Sequence, residues 1–363
     1  MLTLKANYLA EHYGYDITII LTEGKGKSLF YPLSDKVHII NLDIGFEALW
    51  TCSFLRKIPV YLCKQRRYKR KLRAKLMRLR PDITVSLLRR EINFLCDIND
   101  GSRKVGEMHI NRANYRNFDT EQAGWLKRQF ARLWSHNIVA KLQQLDRLVV
   151  LTDNDREAWT ELDNVVTIPD PLSLSPHSKP QTAINSRRII TVARYSHEKG
   201  IDLLLKAWAL VEKQYPEWSL HVFGDGERMP YEELMHELNI DTERCHLNGR
   251  TNNVEQEYLA SAFSVVPSRF EGFGMVITES MACGVPVVAF NCPWGPQAII
   301  HNDEDGLLIE NGNVEALADG IMRLMGDDGL REQMAKAGAE SVKRFSIENI
   351  ARQWHELFTT IIL

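Results

Sequence analysis

The sequence predicts an α/β protein made of two Rossmann-like, doubly wound domains with parallel sheets. Short apolar runs rich in β-branched residues alternate with segments of helical period along nearly the whole chain. The length of 363 residues exceeds one ordinary domain and suits two domains of about 150 to 200 residues. A proline-rich interruption after residue 168 divides the alternation into two halves. Two facing sheets would place an active site in the cleft between them.

The first domain is predicted over residues 1–172, and a linker follows it over residues 173–186, where Ser, Pro, Lys and Gln dominate. The predicted strands of the first domain are short apolar runs with helical segments between most of them. They are Asp16–Leu21, Val37–Asn41, Asp82–Leu87, Lys104–His109, Asp146–Leu151 and Val165–Ile168.

The second domain is predicted over residues 187–345, and a final amphipathic helix over residues 346–363 is expected to pack back toward the first domain. The strands of the second domain are predicted from the same alternation. They are Arg188–Val192, Trp218–Phe223, Cys245–Leu247, Phe263–Pro267, Val285–Phe290 and Gly306–Ile309. Ligands of such sheets bind beyond the carboxyl ends of the strands, so the residues that follow each strand are the first candidates for a site.

Composition excludes several classes of protein. Hydrophobic residues make up 44% and charged residues 25% of the chain, which is typical of a folded globular protein. The net charge of −2 gives no excess of positive charge for coating a nucleic acid. Six cysteines occur without metal-ligand spacing, which predicts reduced thiols, and the chain has neither a leader pattern nor a membrane-spanning run. A cytoplasmic protein is expected.

The strongest motif lies in residues 267–286, where a strand is followed by a glycine-containing loop and then by a helix beginning near Gly274. Free backbone N–H groups and the positive end of a helix dipole make such a helix start an anion site. Glu271 lies in the loop and Glu279 about one turn inside the helix, so each can accept hydroxyl hydrogen bonds from a different part of one ligand. The alternative is that Glu271 only stabilises the helix start and Glu279 is a solvated helix residue.

A second motif, residues 191–200, carries Arg194 and Lys199 at the end of the first strand of the second domain. A guanidinium and an ammonium there suit the two phosphates of a nucleotide diphosphate. The alternative is that Arg194 pairs with a neighbouring acid and that Lys199 is an ordinary first-turn residue. The turn Phe223–Gly226 lacks the third glycine of a dinucleotide fingerprint, and no P-loop is present, so NAD-type redox chemistry and P-loop ATPase activity are not expected.

Together these motifs resemble the retaining glycosyltransferases of family 4, which have the two-domain GT-B architecture. The resemblance covers nearly the whole chain and also includes Leu247–Arg250 and Gly306–Leu308. It implies that Arg194 and Lys199 hold the donor diphosphate and that Glu279 holds the ribose. The residues it assigns to the nucleobase, donor sugar and phosphate are Gly249, Arg250, Glu271, Phe273, Gly274, Met275 and Val276.

The resemblance also implies a reaction. The enzyme would transfer a hexose or N-acetylhexosamine with retention from a nucleotide sugar, expected to be a UDP-sugar, to a glycan or lipid-linked acceptor of cell-surface polysaccharide or lipopolysaccharide. Neither a metal nor a cofactor is expected, because cationic side chains and the helix dipole would stabilise the departing diphosphate. Glu271 and His109 are the expected catalytic residues, with His109 beside the reacting sugar. Arg89 is a weaker acceptor-side candidate.

The chain departs from the family pattern at its beginning. Family members usually start with a strand and a glycine-rich loop, whereas Met1–Tyr8 already has the pattern of the first helix. We therefore expect the first strand and its loop to be missing. Two alternatives to a transferase stay open at this point: a non-catalytic sugar-nucleotide-binding or scaffold protein, and a sugar-nucleotide epimerase or hydrolase.

A basic segment from Arg56 to Arg80 contains twelve Lys or Arg residues and no acid. Leucines at helical spacing give the segment an apolar side. Basic amphipathic helices bind anionic membrane surfaces, so peripheral association with the inner face of the cytoplasmic membrane is expected. The alternatives are a solvated helix packed on the sheet and a nucleic-acid surface, of which the second is not favoured.

Overall fold

The structure is a computed structural model that describes residues 1–27, 29, 31–49, 54–112, 138–174 and 186–363. The chain forms two compact units. The first contains Met1–Pro171 together with Ile347–Leu363, and the second contains Leu172–Ser346. The last helix therefore belongs to the first unit, although the whole second unit separates the two segments in sequence. None of the described helices is both long and apolar enough to span a bilayer.

The described part of the first unit contains six parallel strands. In chain order they are β1 Ile17–Leu21, β2 Val37–Asn41, β3 Ile83–Ser86, β4 Arg103–Glu107, β5 Arg147–Val150 and β6 Val165–Thr167. Its described helices are α1 Leu2–His12, α2 Phe54–Leu79, α3 Asp153–Ala158 and, at the end of the chain, α11 Ile347–Ile362, with short 3₁₀ turns at Phe46–Leu49 and Glu91–Asn93.

The strands of the first unit form two sheets where one continuous sheet was expected. Strand β1 pairs with β2, while the other four follow the order β3-β4-β5-β6. Both sheets contribute to the same two hydrophobic clusters: Ile17 and Ile83 belong to one, Ile20 and Leu148 to the other. The two sheets thus share the core on both faces, and among the described strands β1 and β3 are each paired on one side only.

Helix α11 packs against helix α1 through the apolar stripe that its sequence predicts. Trp354 and Phe358 are buried in the same cluster as Leu9 of α1. The ring of His355 stacks on Tyr13 with 4.3 Å between centroids, and its Nδ1 lies 2.9 Å from the hydroxyl of Tyr15. These contacts tie the end of the chain to its beginning within the first unit.

In the second unit, the described residues form six parallel strands in one sheet, in the order β12-β11-β10-β7-β8-β9. The strands are β7 Arg188–Val192, β8 Ser219–Phe223, β9 Cys245–Asn248, β10 Phe263–Val266, β11 Val287–Phe290 and β12 Leu307–Ile309. The helices are α4 Ile201–Val211, α5 Met229–Glu237, α6 Val254–Leu259, α7 Met275–Ala282, α8 Pro296–Ile299, α9 Val314–Gly326 and α10 Asp328–Ser341, with 3₁₀ turns at His197–Lys199 and Val342–Phe345.

The order of this sheet sets the position of its site. The chain winds outward from β7 to β9 on one side and from β10 to β12 on the other, so β7 and β10 are neighbours at the point where the winding reverses. Every residue of β10 and of β11 is buried, as expected of strands covered on both faces. The loops after β7 and β10 therefore begin side by side at the carboxyl edge, where doubly wound sheets bind ligands.

One glycine makes the close approach of these two loops possible. Gly200 adopts φ +65°, and a Cβ atom there would lie 1.9 Å from the carbonyl oxygen of Pro267 at the end of β10. Any side chain would push the loop after β7 away from the loop after β10.

We expect Gly200→Ala to lower the free energy of unfolding by about 2 kcal/mol or more, because backbone strain adds to the clash. Gly326→Ala is the control, since its nearest neighbour would be 3.9 Å away. Urea unfolding of both variants checks this, and equal stability of the two would show that the close approach is not required.

Candidate functional site

The loops after β7 and β10 are joined by an ion pair. The ammonium of Lys199 lies 2.7 Å from Oε1 of Glu271, and the hydroxyl of Ser268 donates to the same oxygen at 2.7 Å. Glu271 is buried and Lys199 is about one-fifth exposed. The structure thus brings together two residues that the sequence predicted in separate motifs.

Arg194 lies at the same edge but is largely exposed. Its guanidinium pairs with Glu198 at 3.1 Å, which is the neighbouring-acid arrangement weighed as the alternative above. Because the Arg194 side chain is 68% exposed, this pair contributes little stability and leaves the guanidinium free to exchange partners. Lys199 belongs to the 3₁₀ turn His197–Lys199, just before α4.

Helix α7 begins beside Glu271. Gly274 is the residue before its first turn and adopts φ +104°, which favours glycine. Phe273 is buried and packs edge-to-face on Phe345, with 5.2 Å between the ring centroids. This contact anchors the loop that precedes α7. The first amides of a helix have no partner within it, and here they include those of Met275 and Val276. The helix start therefore offers N–H donors and a positive dipole end beside a buried carboxylate.

Glu279 is held by a residue that sequence reasoning assigned to the linker. The hydroxyl of Ser173 donates to Oε1 of Glu279. Burial raises the pKa of Glu279, and the hydrogen bond from Ser173 opposes that rise. Glu279 is therefore a positioned, partly desolvated carboxylate rather than a solvated helix residue. Among the described residues no group hydrogen-bonds to its Oε2 atom, which is the oxygen available to a hydroxyl ligand.

Gly249 and Arg250 lie in the loop after β9. A Cβ atom on Gly249 would meet nothing within 4 Å, and its carbonyl accepts a hydrogen bond from the amide of Gly224 at 3.3 Å. Arg250 is 65% exposed, and its guanidinium lies 3.9 Å from the carboxylate of Asp225. Both residues thus stand at the open edge of the sheet.

His109 belongs to the first unit and follows β4, where both of its ring nitrogens face carboxylates. Nδ1 lies 3.2 Å from Asp170 and Nε2 lies 3.3 Å from Glu107, which also binds the ammonium of Lys5. Burial by itself would lower the pKa of His109, but the hydrogen bonds to Asp170 and Glu107 outweigh it and raise this pKa to about 9. Burial by itself would raise the pKa of Glu107. The hydrogen bonds and positive charges of His109 and Lys5 outweigh burial and lower this pKa to about 2. His109 is therefore an imidazolium at neutral pH.

The cluster of Glu107, His109 and Asp170 has the residue types of a metal site, with donor atoms within 4.8 Å of one another. Its geometry favours an ion-pair network instead. Each carboxylate contacts a different nitrogen of the imidazole ring. The two carboxylates therefore do not meet at the same nitrogen, as ligands of one metal ion would. The buried ammonium of Lys5 already occupies Glu107.

Arg89 follows β3 in the same unit. Its side chain is exposed, and its backbone amide donates to Glu91 at 3.3 Å, which also accepts a hydrogen bond from Ser86. The acceptor-side role of Arg89 stays a prediction.

Sequence reasoning missed four residues of these sites: Lys5, Glu107, Asp170 and Ser173. A signal existed for Glu107, because residues two apart in an extended segment project to the same side and His109 lies two residues after Glu107, which ends β4. Lys5 and Ser173 reach their carboxylates across 102 and 106 residues of chain, and no local pattern predicts such contacts.

Residues 176–341, which make up most of the second unit, match the family model described as glycosyl transferases group 1. The second unit is similar to the glycosyl transferases group 1 family over this range. An uncharacterized glycosyltransferase of Haemophilus influenzae is 32% identical over 213 residues, covering 58% of this chain and 60% of that protein. The poly(ribitol-phosphate) alpha-N-acetylglucosaminyltransferase of Staphylococcus aureus is 26% identical over 71% of this chain and 51% of that protein. The chain thus spans about half to three-fifths of the length of these relatives.

Solved structures show the same fold. TarM of Staphylococcus aureus, solved with UDP and alpha-GlcNAc-glycerol, is 26% identical with a TM-score of 0.62, covering 73% of this chain and 52% of that one. Sucrose-phosphate synthase of Thermosynechococcus elongatus has a TM-score of 0.78 at 21% identity, covering 98% of this chain and 91% of that one. The predicted α/β GT-B fold is confirmed. Membership of family 4, retention, metal independence and the roles of the individual site residues stay predictions.

The imidazolium of His109 makes a testable contribution to stability. Its pKa in the folded protein lies above the ordinary value of 6.5, so the stabilisation is fully present below pH 6.5 and is lost as the pH rises through about 9. We expect the loss to be about 1–2 kcal/mol, less than the pKa change alone would permit, because the His109 side chain is one-third exposed.

Urea unfolding at pH 6 and pH 9 measures this difference. His109→Gln removes the pH-dependent part, whereas His38→Gln, a change at an exposed histidine of the same unit, keeps it. An equal loss of stability with pH in the wild type and in His109→Gln would contradict the assignment.

Proposed function

We propose that this protein is a retaining, metal-independent glycosyltransferase. It transfers a hexose or N-acetylhexosamine from a UDP-sugar to a glycan or lipid-linked acceptor in the synthesis of a cell-surface polysaccharide. The observation that carries the proposal is the convergence of Lys199, Glu271 and the start of α7 where the winding of the second sheet reverses.

Charge supports the donor assignment. A nucleotide diphosphate brings negative charge to an edge where Arg194 has an exchangeable partner, Lys199 is held by one carboxylate, and α7 presents free amides. When Lys199 turns to the diphosphate, Glu271 is released to accept hydroxyl hydrogen bonds from the donor sugar. Oε2 of Glu279 lies on the same helix and suits a ribose hydroxyl.

These groups also support a reaction without a metal. The bond that breaks joins the anomeric carbon of the sugar to the diphosphate, so negative charge develops on the departing diphosphate. Arg194, Lys199 and the dipole of α7 supply positive charge at that place.

The protonation state of His109 argues against the epimerase and hydrolase alternatives. Those reactions need a residue that takes a proton from the substrate or from water. With a pKa near 9 and both nitrogens facing carboxylates, His109 is an imidazolium that cannot take up a proton at neutral pH. It instead provides a fixed positive charge at the end of β4.

The relatives support the choice of donor and pathway. The structure of TarM contains UDP, and the Staphylococcus aureus relative acts on poly(ribitol-phosphate), according to their names. These properties belong to those proteins, and we extend them to this chain as part of the proposal.

Nucleotide binding tests the donor site directly. In EDTA, we expect UDP to bind more tightly than GDP or ADP by isothermal titration calorimetry, and Glu279→Ala to weaken UDP binding at least tenfold, because a hydrogen-bonded charged group is lost. Glu237→Ala, which removes an exposed carboxylate at the end of α5, is expected to bind UDP as the wild type does.

Turnover distinguishes the transferase from a binding protein. Transfer from UDP-N-acetylglucosamine or UDP-glucose to a saccharide acceptor, with the α configuration at the anomeric carbon by NMR, is the expected result. UDP binding without any turnover would favour the scaffold alternative, and the absence of binding by every nucleotide would contradict the donor site.

A further inference from the structure

The outward face of α2 carries a continuous stripe that folding does not use. The helix is anchored from its other side, where Tyr68, Leu72 and Leu76 are buried in the core of the first unit. Residues spaced by three or four along a helix share one face. The outward stripe consists of Ile58, Leu62, Arg66, Arg70, Arg73 and Met77, and each of these residues is exposed.

Six of the cations of α2 fall into two groups of three, and Arg67 and Arg78 are exposed as well. One group lies toward the protein and is used by the fold: Lys64 donates to the carbonyls of Ile44 and Gly45 at 2.9 and 2.6 Å, Lys69 pairs with Asp97 at 2.7 Å, and Lys71 donates to the carbonyl of Leu42. These lysines attach the helix to the chain around it.

The second group consists of Arg66, Arg70 and Arg73, and within the described chain none of the three forms an ion pair or hydrogen bond. They lie within about 10 Å along the helix axis. Arginines four apart on a helix repel each other, and no Asp or Glu occurs between Arg56 and Arg80 to offset the repulsion. A helix face that is only solvated is normally interspersed with acids.

Apolar side chains flank the arginines on the same face. Ile58 is 59% exposed, Leu62 is 49% exposed and Met77 is 48% exposed. Exposed apolar residues that line up with cations are typical of helices that lie in a membrane interface. A nucleic-acid phosphate backbone would use the arginines but would leave these three side chains in water.

We propose that the outward face of α2 docks the first unit on an anionic lipid bilayer. The guanidinium groups of Arg66, Arg70 and Arg73 bind lipid phosphates, and Ile58, Leu62 and Met77 enter the boundary of the acyl chains. The proposal adds an anionic bilayer as a partner and specifies that the outward face of α2 contacts it. It does not depend on whether the second unit transfers a sugar.

Cys63 provides a readout next to the stripe that does not depend on activity. Its thiol is exposed, whereas those of Cys245, Cys283 and Cys292 are buried and Cys96 is half-buried. In a Cys52→Ser background, an environment-sensitive fluorophore on Cys63 reports on the polarity around the outward face of α2. We expect its emission to shift to shorter wavelength with vesicles of 30% phosphatidylglycerol in phosphatidylcholine, and not with phosphatidylcholine alone.

Co-sedimentation with the same vesicles tests the arginines. The triple variant Arg66→Gln, Arg70→Gln and Arg73→Gln is expected to bind about 100-fold more weakly, given the contribution of each basic residue near an anionic leaflet. The control carries the same change of charge at exposed cations elsewhere, through Lys206→Gln, Lys213→Gln and Arg352→Gln, and is expected to bind as the wild type does. Thermal unfolding shows that both triple variants are folded.

The apolar side chains need a variant of their own. Ile58→Gln with Leu62→Gln is expected to abolish the emission shift, measured on Cys63, while leaving the salt-sensitive part of vesicle binding. Equal binding to the two kinds of vesicle, or equal losses in the arginine variant and its control, would overturn the proposal. Tighter binding to duplex DNA than to the anionic vesicles, lost in the same arginine variant, would assign the face to nucleic acid and would also overturn it.

Discussion

The ion pair between Lys199 and Glu271 is the interaction on which the candidate donor site depends. It joins the loops after two neighbouring strands at the reversal point of the sheet, and it keeps a buried carboxylate compensated. A carboxylate as buried as that of Glu271 is costly without a partner, so its geometry is fixed by Lys199 and Ser268. In this ion pair Glu271 also neutralises the ammonium of Lys199, the cation that a diphosphate would bind. Under the proposed function, donor binding would be an exchange of partners, in which the diphosphate binds Lys199 and the sugar binds Glu271.

Pairing of buried opposite charges also fixes the positions of residues in the first unit. His109 and Lys5 lie against Glu107, and Asp170 completes the set from its position between Pro169 and Pro171. Removing one member of such a buried network leaves another uncompensated, so these four residues act as a unit. The network holds His109 in one orientation and keeps it protonated at neutral pH. Under the proposed function, His109 would therefore act as a fixed cation and not as a base.

Sequence predicted the fold because its signals are local. Each of the twelve predicted strands is present, since a short run of β-branched residues between helical segments has few other structures to adopt. The motifs at Arg194–Gly200 and Glu271–Glu279 were expected to lie at one edge of the sheet, because ligands of doubly wound sheets bind beyond the carboxyl ends of the parallel strands. The separation of the first six strands into two sheets was not predicted, because strand pairing depends on residues far apart in the chain. The contacts from Lys5 and from Ser173 escaped prediction for the same reason.

The exchange of partners by Lys199 can be measured with UDP, which carries the diphosphate but no sugar. A double-mutant cycle of Lys199→Ala and Glu271→Gln, read as UDP affinity by calorimetry, isolates the coupling between the two residues. We predict that Lys199→Ala weakens UDP binding about tenfold or more, because a charge-assisted contact to phosphate is lost. We predict that Glu271→Gln tightens UDP binding several-fold, because Lys199 no longer leaves an ion pair, and that this gain disappears when Lys199 is absent. Equal effects of Glu271→Gln with and without Lys199 would contradict the account.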